Sequence, residues 1–142
     1  MHGEQWKGAI KKEQSLTWNK AEKAVGVLAA GIKEIRNVQD WAEKACMSPD
    51  WLRKTLRRTY HKSPKQILRE VRFETVVRLI EVQSWEASAD GIAIDSGIGD
   101  TCKALHKFLK RHYGTTFTEL REEVLTGKWN MKFVWLNGVS YE

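Results

Sequence analysis

The chain has 142 residues and carries 24 Lys and Arg against 18 Asp and Glu, which gives a formal charge of +6. A hydrophobic fraction of 42% excludes a disordered chain, and a chain of this length buries roughly 68–70% of its unfolded surface, enough for a packed core. No apolar run reaches the roughly 18 residues of a membrane span, and the N-terminus lacks a secretory signal. We therefore expect a cytoplasmic protein with no membrane partner, whose Cys46 and Cys102 are reduced core residues.

The first half of the chain predicts a flexible lead-in followed by three helices. Residues 1–20 are polar and without periodicity, whereas apolar residues recur at helical spacing over residues 21–35 and 38–46. Ser48 followed by Pro49 is a strong signal for a helix start, since serine caps the first turn and proline fits its first position. We assign residues 21–65 to a first helix-turn-helix unit.

The second half repeats this organisation. Ser63 and Pro64 predict a linker helix over residues 64–84, about 30 Å long at 1.5 Å per residue. A second helix-turn-helix unit over residues 85–126 follows, with Gly97 ending its first helix and Asp100 capping its second.

The C-terminal residues 127–142 differ in character from the rest of the chain. Asn137 and Gly138 separate two apolar segments, which predicts a two-residue turn and a short β-hairpin. The aromatic residues in this tail leave a second interpretation of the whole chain open, that of a protein-interaction module on a degenerate helix-turn-helix fold.

The positive charge is concentrated in two segments, one in each predicted unit. Residues 49–65 contain one acid and six cations, namely Arg53, Lys54, Arg57, Arg58, Lys62 and Lys65. A second cluster contains Lys103, Lys107, Lys110 and Arg111. On an isolated amphipathic helix such a run is usually a solvated face, but two runs on two repeated units favour binding to a polyanion.

The order of the predicted helices and the spacing of their residues together resemble a known protein family. The first unit reads VQDWAEKACMSPDWLRKTLRRTYHKSPKQIL and the second reads SADGIAIDSGIGDTCKALHKFLKRHYGTTFTELR. Over roughly residues 21–125 they resemble the DNA-binding domain of AraC/XylS-type bacterial transcription regulators. Signature positions of that family are occupied here by Ala93, Gly97, Leu105, Lys110, Arg111, Tyr113, Gly114 and Arg121. The chain departs from the signature at Ile98 and Leu105, where Phe is usual, and at Phe117, which replaces Pro.

This resemblance implies an all-α fold of two homeodomain-like helix-turn-helix bundles joined by a long linker helix. It also implies sequence-specific binding of double-stranded DNA, with base-facing positions early in the reading helix of each unit, which begins at Pro49 in the first unit and after Asp100 in the second. In this sequence those positions are Asp50, Arg53, Lys54, Arg57, Thr101, Lys103, Ala104 and Lys107. Better placed for phosphates are Arg58, Tyr60, His61, Lys62, Lys65, Lys110 and Arg111.

The chemistry of these side chains suits DNA. Arg53 or Lys54 could donate to guanine O6 and N7, and Asp50 could accept from cytosine N4. Trp41, Trp51 and Trp85 lie at helical spacing typical of core packing, although Trp51, next to Asp50, could reach the DNA.

Motifs for other functions are absent from the sequence. It has no Walker loop, GxGxxG or HExxH pattern and no CxxC pair, so we expect no enzyme activity, no metal and no cofactor. RNA polymerase or an upstream effector domain are candidate protein partners.

Overall fold

The structure, a computed structural model, describes residues 19–128, and this part of the chain folds into helices joined by turns. In chain order the elements are α1 (residues 19–30), α2 (Val38–Lys44), α3 (Pro49–Tyr60), α4 (Pro64–Gln83), a 3₁₀ turn (Ser84–Glu86), α5 (Ala89–Asp95), α6 (Cys102–Tyr113) and α7 (Phe117–Leu125). The predicted all-α architecture is confirmed. The predicted hairpin lies outside the described residues. None of the helices within residues 19–128 is both long and apolar enough to cross a membrane.

Serine residues begin α3 and α4, as the sequence predicts. The Trp51 N–H donates to the Ser48 hydroxyl oxygen (3.1 Å) and the Gln66 N–H donates to the Ser63 hydroxyl oxygen (3.2 Å). Each bond satisfies one of the backbone donors that a helix leaves unpaired in its first turn. The proline that follows each serine has no N–H to satisfy, which makes both starts well defined.

The predicted start of α6 at Asp100 is wrong by one residue. Thr101 is the cap, and its hydroxyl oxygen accepts from the Ala104 N–H (3.4 Å). The carboxylate of Asp90, on α5, accepts from the Cys102 N–H at 2.5 Å. Because Thr101 and Asp90 already serve the first turn of α6, Asp100 is left outside the helix.

The bounds of α1 and α2 also differ from the prediction. Residues 19 and 20 are already helical, and α1 ends at residue 30 rather than 35, in a turn where the Gly31 carbonyl accepts from two N–H groups. Ile32 and Ile35 are nevertheless buried, so the helical spacing of apolar residues continues past the end of the helix. The second helix ends at Lys44, because Cys46 adopts a left-handed φ of 58°.

Two hydrophobic cores share the linker helix α4. The first core joins α1, α2 and α3 to Ile67, Leu68 and Val71 of α4. The second joins α5, α6 and α7 to the C-terminal half of α4. At the centre of the first core Trp41 is fully buried, and its indole N–H donates to the Ala24 carbonyl oxygen (2.7 Å). Trp41 is therefore a core residue, whereas both cysteines are exposed, contrary to the prediction.

The two units repeat each other closely. Helices α2 and α5 both have 7 residues, and α3 and α6 both have 12. After α2 in the first unit and after α5 in the second the chain makes the same turn, in which the Met47 N–H donates to the Ala42 carbonyl and the Ile98 N–H donates to the Ala93 carbonyl (2.9 and 3.1 Å). The second unit then inserts Gly99 and Asp100 before its capping residue. The predicted pair of helix-turn-helix units is confirmed.

Candidate nucleic-acid interface

One face of α3 carries four charged residues in a line. Asp50, Arg53, Lys54 and Arg57 follow one another at i, i+3, i+4 and i+7, so they lie on the same side of the helix. All four are exposed, and Leu52 and Leu56 face the first core on the opposite side. We call these four residues the α3 stripe.

The carboxylate of Asp50 organises the beginning of the α3 stripe. One carboxylate oxygen accepts a hydrogen bond from the Arg53 guanidinium, and the ammonium of Lys54 lies 3.2 Å from the other oxygen. The hydrogen bond and charge of Lys54, followed by those of Arg53, lower the pKa of Asp50 below its ordinary value. At neutral pH this side chain is therefore an anion already engaged by two of the proposed base readers.

The same helix positions in α6 carry a second line of polar side chains. Lys103, His106, Lys107 and Lys110 are the second, fifth, sixth and ninth residues of α6, as Asp50, Arg53, Lys54 and Arg57 are of α3. All four are exposed, opposite the buried Leu105 and Leu109. We call them the α6 stripe.

His106 is the residue of the α6 stripe that the sequence analysis missed. It occupies the position that Arg53 has in α3, and its spacing from Lys103 and Lys110 would have identified it. Lys110, predicted to contact phosphate, lies on the same face of α6 as the base-reading candidates Lys103 and Lys107.

Thr101 and Ala104, two predicted base readers, lie off the α6 stripe. The hydroxyl of Thr101 is engaged in capping the helix. Ala104 is partly buried, and a Cβ placed on Gly99 would overlap the Ala104 methyl group, so this methyl faces the turn before α6. Only Lys103 and Lys107 of the four α6 candidates belong to the exposed charged face.

The predicted phosphate contacts fall into two groups. Arg58, His61, Lys65, Lys110 and Arg111 are exposed. Lys62 instead forms a partly buried ion pair with Glu70 of α4 (3.0 Å). Tyr60 is half-buried against the first core, and burial, followed by the charge of Glu22, raises its pKa to about 12.

Trp51 is an aromatic surface next to the α3 stripe. Its side chain is 46% exposed, and the Lys20 ammonium lies 5.3 Å from the ring centroid, which is a favourable cation–π distance. Trp85, which the sequence also predicted to pack in a core, is exposed and lies under the guanidinium of Arg121. The core packing expected of these residues holds for Trp41 alone.

Solved structures similar to this chain share its fold. A DNA-binding transcriptional dual regulator from Escherichia coli K-12 is 24% identical, with a TM-score of 0.60 over 75% of this chain and 93% of that chain. A transcriptional regulator from Chromobacterium violaceum, with an AraC-type DNA-binding domain, is 20% identical, with a TM-score of 0.63 over 78% of this chain and 96% of that one. No curated protein matches the sequence significantly.

Family membership follows from the sequence itself. The profile of a helix-turn-helix domain family matches residues 41–123, which is more than half of the chain and includes α3, α4 and α6 entirely. The double helix-turn-helix arrangement, the two charged stripes and this match agree with one another, and the chain belongs to the helix-turn-helix domain family as a member of the AraC/XylS type.

Proposed function

We propose that this chain is a sequence-specific DNA-binding transcription regulator that reads two adjacent major-groove segments, one with α3 and one with α6. The observation that carries the proposal is the equivalence of the two stripes. Both occupy the second, fifth, sixth and ninth positions of a 12-residue helix, and both lie opposite a hydrophobic core. A major groove about 12 Å wide admits one such helix.

The length of α4 suits this arrangement. Its 20 residues extend about 30 Å at 1.5 Å per residue. Successive major-groove segments on one face of B-DNA are about 34 Å apart. One polypeptide can therefore present two reading helices to neighbouring segments without forming a dimer.

The side chains of the two stripes suit different contacts with DNA. The α3 stripe contains two arginines, whose planar guanidinium groups make paired hydrogen bonds to guanine. The α6 stripe contains three lysines, which act on phosphates as mobile point charges. We propose that α3 contributes most of the base recognition and α6 most of the grip on the backbone, with Arg58, His61, Lys65 and Arg111 as further phosphate contacts.

Asp50 has a place in this scheme because it restrains Arg53 and Lys54 before DNA is bound. On a matching sequence the carboxylate can accept from cytosine N4 while Arg53 turns to guanine. On other sequences it remains an anion beside the phosphates, which raises the energy of non-specific complexes. The proposed function requires binding and no chemical reaction. The first partner is double-stranded DNA in the bacterial cytoplasm, and the second is RNA polymerase or an effector domain.

Two single substitutions test the division of roles. We expect Arg53→Ala to weaken binding to the preferred duplex by about 1–3 kcal/mol and to relax its sequence preference, because a base contact is lost. Lys110→Ala should weaken binding to all DNA sequences alike. It should also lower the slope of log K against log salt by about 0.9, the contribution of one neutralised phosphate. Titrations of matched and scrambled duplexes at several salt concentrations measure both effects. Equal losses on both duplexes for Arg53→Ala would contradict the assignment of α3 to base reading.

A further inference from the structure

The second unit contacts the first at the turn between α1 and α2, residues 31–36. Gly97, two residues after the end of α5, has a φ of 75°, and a Cβ added to it would overlap the carbonyl oxygen of Ile32 and lie 3.6 Å from the Cα of Lys33. The two backbones therefore meet with no side chain between them. Only glycine permits both this approach and this backbone conformation.

Two polar contacts accompany the backbone contact. The ammonium of Lys33 lies 3.5 Å from the carboxylate of Asp95, the last residue of α5. From the linker helix, Arg72 donates to the carbonyl oxygens of Ile35 (3.3 Å) and Arg36 (3.1 Å). The 31–36 turn is thus connected at once to α4 and to the second unit.

We propose that the contact of Gly97 with the 31–36 turn fixes the orientation of α6 relative to α3. Gly97 is then a positioning residue for DNA binding, and this inference rests on the function proposed above. Ile32 and Ile35 of the turn pack in the same core as Leu52 and Leu56 of α3. Gly97 lies four residues before the cap of α6.

Where one helix alone joins two domains, its curvature leaves some freedom in their relative orientation, because long helices are rarely straight. A second connection away from the helix axis removes that freedom. The contact at Gly97 supplies this second connection, so the two stripes keep one relative register before DNA is bound.

The chain provides its own probes for a test without DNA. Its only two cysteines, Cys46 and Cys102, are exposed and lie just before α3 and at the first residue of α6. Spin labels on both report the distance between the starts of the reading helices. The informative variant is Gly97→Ala, and its matched control is Gly114→Ala, which has a similar φ of 62° but nothing within 4 Å of the added Cβ.

We expect the unsubstituted protein and Gly114→Ala to give the same narrow distance distribution. Gly97→Ala should shift the distance or broaden its distribution at least about twofold at unchanged helix content, as expected for units released into a hinge motion. An unaltered distribution in Gly97→Ala would overturn the proposal. If Gly97→Ala does not fold, Lys33→Glu takes its place as the test variant. A broader distance distribution in Lys33→Glu that narrows again when Asp95→Lys is added supports the proposal. A distribution of unchanged width in Lys33→Glu contradicts it.

Binding to DNA provides the functional arm of the test. Inserting one base pair between the two preferred segments turns one by about 35° and moves it about 3.4 Å away, a change small enough for a hinged linker to absorb. We expect the insertion to weaken binding at least about tenfold for the unsubstituted protein and Gly114→Ala, and less than about threefold for Gly97→Ala. An unsubstituted protein indifferent to the insertion would contradict two-segment reading, whereas the spin-label distances alone decide whether Gly97 fixes the orientation.

Discussion

Trp41→Ala is expected to lower the free energy of unfolding by about 3–5 kcal/mol, the usual cost of removing a large aromatic side chain from a core. Trp41 is fully buried among α1, α2, α3 and the first half of α4, and its indole N–H donates to the Ala24 carbonyl. Small domains are stable by only about 5–15 kcal/mol, so the first unit would lose much of its stability. Urea unfolding followed by circular dichroism measures the change.

A matched substitution shows whether the loss is confined to the first unit. Ile92 is the fourth residue of α5, as Trp41 is of α2, and it is fully buried in the second core. Ile92→Ala should cost about 2–5 kcal/mol and release backbone amides of the second unit to hydrogen exchange. Trp41→Ala should release those of the first. A change of less than about 1 kcal/mol for Trp41→Ala would show that this core does not hold the unit together.

Replacing the three lysines of the α6 stripe by alanine should weaken DNA binding strongly and reduce its dependence on salt. If each of Lys103, Lys107 and Lys110 neutralises one phosphate, the slope of log K against log salt falls by about 2.7. Raising the salt concentration fourfold, from 50 to 200 mM, would then weaken DNA binding by the unsubstituted protein about 40-fold more than binding by the variant, because 4 raised to the power 2.7 is about 40. Titrations of one duplex across that range measure the slope directly.

The control keeps the charge and changes the side chain. Arginine at the same three positions should leave the salt slope within about one unit of the original, because the number of released counterions is unchanged. Both triple variants should fold, since all three side chains are exposed on α6, and alanine and arginine are good helix formers. An unchanged slope in the alanine variant would remove α6 from the DNA interface.

Local signals explain which parts of the fold follow from the sequence. The serine–proline pairs at residues 48–49 and 63–64 begin α3 and α4 as predicted, because capping depends only on the first turn of a helix. The start of α6 was predicted one residue early because the choice between Asp100 and Thr101 depends on Asp90, which is distant in sequence.

The site was predictable to the extent that it depends on helix spacing. The α3 stripe follows from four charged residues at i, i+3, i+4 and i+7. His106 has the same spacing in α6 but was not predicted, because the two basic clusters are defined by lysine and arginine alone. The pairing of Lys62 with Glu70 joins the turn between α3 and α4 to the side of α4 and leaves no local pattern in the sequence.

Selection from a randomised duplex pool tests two-segment reading by one chain most directly. The duplexes bound at moderate salt are sequenced, and the affinities of enriched duplexes are then followed across salt. We predict two short motifs about 10 base pairs apart, centre to centre, bound by one chain. Enrichment of a single motif would restrict base reading to one unit, and the absence of both enrichment and salt-dependent binding would contradict the function proposed for this protein.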